Sequence, residues 1–160
     1  MIHVGEPRRY DRLPPGEKLL TLVFALVGRD RAAWLRLDYH ADPPDTQLWY
    51  CADGQPYEMV PPPGEVWPDL FRILWRDTRL PPADRLPWWR RGRRRIDFPD
   101  RPVFGVLPVR YGDVVVDFDI LFFRGRAGEH VWMERPRPAD VVTVSTEFLR
   151  RRLDRPGGTQ

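Results

Sequence analysis

The sequence predicts an α+β domain in which a mainly antiparallel sheet is packed on one face by helices. Three observations carry that expectation. Residues 33–40 alternate, with Ala33, Leu35, Leu37 and Tyr39 on one side and Trp34, Arg36, Asp38 and His40 on the other, as a half-buried strand requires. Trp67, Leu70, Phe71, Leu74 and Trp75 recur at three- and four-residue spacing, the period of a helix with one apolar side. The elements run helix, three strands, helix, strands, helix, and an antiparallel sheet covered on one face is the natural solution to that order. At 160 residues, 42% apolar and 12% aromatic, the chain has the length and the greasy area for one packed domain. Its 19 prolines make that domain rich in loops.

Residues 1–15 read as an extended lead-in ending at Pro14-Pro15, and residues 16–153 as the single domain. The run 17–27, opened by Pro-Gly and closed by Gly28, predicts a short buried helix. Thr21, Val23 and Val27 are β-branched, so a strand over the same run stays open. After the strand at 33–40, Asp42-Pro43-Pro44-Asp45 makes a turn, and a second strand is expected over 47–51. Asp53-Gly54 supplies the positive φ angles of a tight hairpin into a third strand at 55–60, which Pro56 assigns to an edge. The strongest helix follows at 65–78, with Pro68 tolerated in its first turn. Residues 81–102 show no sustained period and read as a long Pro- and Arg-rich loop.

Strands at 103–111 and 114–123 then form a hairpin around Gly112-Asp113, with Val114, Val116, Phe118 and Ile120 as its core face. Further strands are expected at 130–134 and 141–144, a closing helix at 145–153 capped by Ser145, and a frayed tail at 154–160. Alternation in the strands predicts that the second face of the sheet is wet.

Every basic residue except Lys18 is arginine. A GC-rich genome produces that bias without selection, but the consequence is physical either way, because guanidinium forks pair bidentately and stack on aromatic rings. The net charge is only +3, and it is concentrated. Residues 85–101 hold seven arginines against Asp97 and Asp100, so the high isoelectric point comes from one stretch. A lone cysteine, Cys51, excludes an intrachain disulfide and a Cys-based zinc site. The longest apolar run falls far short of the roughly 20 residues that span a bilayer, and its acidic and arginine flanks do not fit a secretion signal. The expectation is a cytoplasmic protein with no membrane partner.

No Walker A, G-x-G-x-x-G, G-x-S-x-G or H-E-x-x-H spacing is present among these residues, which removes the usual signals of nucleotide enzymes, serine hydrolases and zinc hydrolases. His3, His40 and His130 show no ligand spacing, and His40 with Cys51 is drawn less readily as a catalytic pair than Cys51 as a buried structural thiol. Asp117 and Asp119, which share a strand face with Asp113, offer at most a weak divalent-cation site. Trp34, Trp49 and Trp132 fall on the face opposite the main apolar stripe. There they form a second packing layer, line a cavity, or make a binding patch.

The most pointed candidate is the segment carrying Trp88, Trp89, Arg90, Arg91, Arg93, Arg94 and Arg95. Arginines beside paired indoles suit an acidic protein groove, with the tryptophans as buried anchor, or a nucleic acid whose phosphates are neutralised while bases stack. The nucleic-acid reading predicts a log–log salt slope of about −3.5 to −4.5 for five phosphates.

The element order, with Trp34 opening a strand, Asp45…Trp49-Tyr50 in the next, a helix around Leu70-Phe71, Pro87-Trp88 after it and Asp117-Phe118-Asp119, resembles the YezG-type bacterial immunity (antitoxin) proteins over roughly residues 17–119. The Arg-rich run at 90–95 and the elements after 124 depart from that pattern. The resemblance implies a small cytoplasmic protein that binds and blocks a cognate toxin, without catalysis of its own; no cofactor is expected. The leading expectation is therefore a non-enzymatic macromolecule-binding protein. The alternatives are a nucleic-acid-binding module using residues 88–95 and a small metal-dependent enzyme or ligand carrier using Asp117 and Asp119.

Overall fold

A computed structural model describes residues 1–5, 10–82 and 97–135. Seven strands and two helices make up the described fold: β1 (Ile2–Val4), α1 (Pro15–Arg29), β2 (Trp34–Ala41), β3 (Pro44–Ala52), β4 (Gln55–Met59), α2 (Trp67–Asp77), β5 (Val103–Tyr111), β6 (Val114–Gly125) and β7 (Gly128–Glu134). The strands form one mixed sheet in the order β1-β5-β6-β7-β2-β3-β4. Among the described residues only the β1–β5 pair is parallel; every other neighbour runs antiparallel. This is the α+β architecture expected. Residues 2–4, read as part of an extended lead-in, pair with Val109–Tyr111 in that sheet.

The run around Val23 is a helix despite its β-branched residues. Leu20, Val23, Phe24 and Val27 all fall on the buried stripe of α1, and burial outweighs a few tenths of a kcal/mol of propensity. Pro15 occupies a first-turn position where its missing N–H has no helical acceptor to lose. Gly28 is required by contact: a Cβ there would lie 2.5 Å from the Tyr111 ring, whose hydroxyl donates to the Phe24 carbonyl at 2.9 Å.

The β2–β3 ladder runs further than expected. Ala41 pairs with Pro44, so the turn shrinks to Asp42-Pro43 and the strand begins at Pro44 instead of Gln47. Asp53 and Gly54, at φ 50° and 76°, make the tight hairpin into β4. β4 lies at the sheet edge, where the proline nitrogen of Pro56 leaves no ladder donor missing. A single 3₁₀ turn, Gly64–Val66, leads into α2, and β7 starts two residues before the expected boundary.

Both helices cover one face of the sheet. Phe24 meets Phe118 edge-on with centroids 5.4 Å apart, and Phe71 packs between Phe98 and Phe122 at 4.8 and 5.8 Å. Trp67 stacks on Tyr39 at 5.3 Å, and its buried indole N–H finds the acceptor it needs in Glu129 Oε2 at 2.6 Å. Along β6 the parity of the predicted core face is right for Val116, Phe118 and Ile120. Val114, however, is 62% exposed, because it pairs with Tyr111 beside the hairpin turn, outside the packed core. The expected strand at 141–144, helix at 145–153 and tail lie outside the described residues.

Candidate functional site

The second face of the sheet, which we call the outer face, holds the chemistry. Strand register brings residues far apart in sequence into straight rows. One row reads Leu121, Trp132, Arg36, Trp49, Glu58 across β6, β7, β2, β3 and β4. The row on one side reads Asp119, Glu134, Trp34, Cys51. The row on the other reads Phe123, His130, Asp38, Gln47.

This face is not wet at its centre, contrary to expectation. Leu121 is fully buried, and with Trp132 it forms a second apolar cluster against which Trp34, Phe104 and Phe123 pack. Aromatic side chains on adjacent strands are close enough to seal the ladder between them. The Trp34 and Trp132 rings lie 4.8 Å apart at 35°. The three tryptophans singled out in the sequence thus do share a face, with Arg36 standing between Trp49 and Trp132.

In the neighbouring row sits a polar pair that no local pattern announces. Asp38, 2% exposed, accepts from His130 Nδ1 at 2.5 Å and from Arg36 Nε at 2.9 Å to one carboxylate oxygen and 2.7 Å to the other. The His130 ring lies flat against Phe123, centroids 4.9 Å apart. Asp38 and His130 are 92 residues apart in the chain, so only the β2–β7 register joins them. A carboxylate this deep persists because both its oxygens are bonded. The same bonds hold Arg36 in place, and the two terminal nitrogens of its guanidinium make no hydrogen bond among the described residues.

Asp117 and Asp119 do lie on the outer face, while Asp113 sits in the turn and does not join them. Asp117 pairs with Arg79 at 3.3 Å. Asp119 is directly opposite Glu134. Partial burial, Glu134 and Asp117, in that order, push its carboxyl above the ordinary range. Among the described residues no three His, Cys, Asp or Glu side chains converge on a metal position.

Cys51 is opposite Trp34 and His40 is opposite Asp45, at the two ends of the β2–β3 hairpin and about 20 Å apart, so they form no pair. A cavity of about 10 Å³ between the N-terminal strand and the helices, lined by His3, Glu17, Thr21 and Asp77 among others, has room for roughly one water. Trp88, Trp89, Arg90, Arg91, Arg93, Arg94 and Arg95 lie outside the described residues.

No family model matches the chain, and no curated protein matches it. No helix among the described residues is long and apolar enough to cross a membrane.

Proposed function

We propose that this chain is a non-enzymatic, cytoplasmic protein that works by binding another protein, as an immunity-type inhibitor of a cognate bacterial toxin. The observation that carries the reading is the partly exposed outer-face group Trp34, Arg36 and Trp49, which rests on the buried Trp132. Tryptophan and arginine dominate the energetics of protein interfaces, because they combine large rigid area with fixed donors. A sheet of seven strands supplies the stiff base on which such residues are preorganised. The segment with Trp88, Trp89, Arg90, Arg91, Arg93, Arg94 and Arg95 carries a second set of the same residue types in the sequence.

The test is a pull-down from native-host lysate, with and without nuclease, followed by co-expression. A stoichiometric protein that survives nuclease, arrests growth when produced alone and is neutralised by this chain is the expected result. Replacing Arg93, Arg94 and Arg95 together by Ala weakens that capture without lowering the melting temperature. Nucleic acid that disappears with nuclease, bound with a salt slope near −4, overturns the reading in favour of a nucleic-acid module. A partner that is harmless on its own removes the immunity role.

A further inference from the structure

Between the end of β4 and the 3₁₀ turn the chain reads Val60-Pro61-Pro62-Pro63, and these residues dictate their own conformation. Each proline ring fixes its φ at about −65°. A residue that precedes proline is pushed to an extended ψ, which covers Val60, Pro61 and Pro62. Pro63 completes the run at φ −55° and ψ 142°. The stretch is therefore a left-handed polyproline II helix, with three residues and about 9 Å of rise per turn.

That period decides which side chains face out. Met59 and Pro62, three apart, turn inwards: Met59 packs against the core and Pro62 is buried. Val60, Pro61 and Pro63 are exposed, and Val60, at 90%, is the most exposed large apolar side chain among the described residues. The ridge is also pinned from below. The hydroxyl of buried Thr46 donates to the Pro62 carbonyl, and the Val66 N–H donates to the Pro63 carbonyl at 3.1 Å. Gly64 lies so close to Pro44 that a Cβ would come within 2.8 Å of its carbonyl carbon. An apolar ridge is thus held out in water with its ordering entropy already spent.

The shape and charge of the ridge select its partner. Shallow grooves lined by aromatic rings receive polyproline II segments: the rings pack on pyrrolidine faces, and groove donors meet carbonyls that this helix leaves without internal partners. Residues 55–66 hold two glutamates, Glu58 and Glu65, both exposed, and no basic side chain. A groove with a basic rim complements that charge, whereas a nucleic acid is repelled by it.

We infer that Val60-Pro61-Pro62-Pro63 is a docking ridge for a partner protein, read in polyproline II form by an aromatic-lined groove with a basic rim. It is a second interaction surface, lying beyond edge strand β4 and using none of Trp34, Arg36 and Trp49. Thr46 is a positioning residue for it.

The probes are a WW domain and an SH3 domain with basic groove rims, each ¹⁵N-labelled and titrated with the whole chain to about 1 mM while the groove tryptophan indole resonance is followed by NMR. The expected result is a saturable shift in at least one of them, at a Kd below about 0.5 mM. Val60→Ser with Pro61→Ser, both at exposed positions, weakens binding by about tenfold or more while the chain unfolds as cooperatively as the wild type. Glu58→Lys with Glu65→Lys weakens it severalfold at low salt. Thr46→Val, which keeps the shape and removes the hydroxyl, weakens it about twofold in a folded chain, an effect that a hydroxyl serving stability alone would not have. The free peptide acetyl-Glu-Met-Val-Pro-Pro-Pro-Gly-Glu-amide binds no more tightly than the chain. The inference is overturned if neither domain shifts, if binding survives Val60→Ser with Pro61→Ser, if the two lysine substitutions strengthen it, or if the peptide binds more tightly than the chain. Val60 resonances that move with the chain's own concentration would assign the ridge to a second copy and overturn it equally.

Discussion

Replacing His130 by Ala tests the polar pair at the centre of the outer face. The substitution removes a hydrogen bond of 2.5 Å to a carboxylate that is almost wholly buried. A bond to a charged group contributes about 1.5–3 kcal/mol. It also removes a ring lying 4.9 Å from Phe123 at 22°, a contact that contributes about 0.5–1.5 kcal/mol. Asp38 remains bonded to Arg36 Nε, so the cost stays below the roughly 3–5 kcal/mol of a fully orphaned buried charge. The expected loss is about 2–4 kcal/mol, and the melting temperature falls by about 10 °C in a chain of this size.

Urea unfolding followed by tryptophan fluorescence and far-ultraviolet circular dichroism measures it. His130→Ala in an Asp38→Asn background then costs less than in the wild type by at least about 1 kcal/mol, because the two residues form one unit. A loss under about 0.5 kcal/mol, or strict additivity with Asp38→Asn, would falsify the buried pair. It would mean that the contact behaves as an exposed one.

Asp119→Asn has the opposite sign. The Asp119 carboxyl is raised in the folded chain, so its ionisation opposes folding: the penalty is absent below the ordinary carboxyl pKa of 3.8 and grows as pH rises through the folded value. The variant is therefore more stable at pH 7 by about 0.5 kcal/mol, the scale of a like-charge cross-strand pair, and indistinguishable near pH 3; equal stability at both pH values refutes the repulsion. Burial pushes the Tyr111 phenol up to about 12. Its contribution to stability is complete below the ordinary value of 10.0 and is lost as pH rises through about 12, so an alkaline titration at 295 nm shows one tyrosine ionising two units late, missing in Tyr111→Phe. That variant also loses the bond to the Phe24 carbonyl, at a cost of about 1 kcal/mol by urea midpoint. Gly28→Ala forces a methyl to 2.5 Å from the same ring and costs about 1–3 kcal/mol although alanine is the better helix former; a stabilised variant would show that the ring swings away freely.

Patterns local to the chain specified most of the scaffold. Alternation over 33–40 placed Leu35 and Leu37 towards the helices and Trp34, Arg36 and Asp38 on the outer face, and the structure keeps that parity. The spacing of Trp67, Leu70, Phe71 and Leu74 defined the buried side of α2, and Asp53-Gly54 and Gly112-Asp113 marked their turns. Each of these signals acts within a few residues, where backbone sterics and the helical or pleated period decide the outcome. Boundaries were less legible. Pro44 to Thr46 join β3 because β2 lies alongside to pair with them, and Val114 escapes the core because it pairs with Tyr111 beside the hairpin turn.

The candidate site divides the same way. That Trp34, Trp49 and Trp132 share a face follows from alternation, and their residue types mark them as interface material. That His130 meets Asp38, that Arg36 is thereby locked, and that Asp119 faces Glu134 follow only from the order and register of β6, β7, β2 and β3. Two strands 92 residues apart carry no mutual mark in the one-dimensional pattern. Their pairing is settled by which arrangement buries both apolar faces at once, a property of the described sheet and helices together, and a slip of one residue would turn every one of these side chains to the other face.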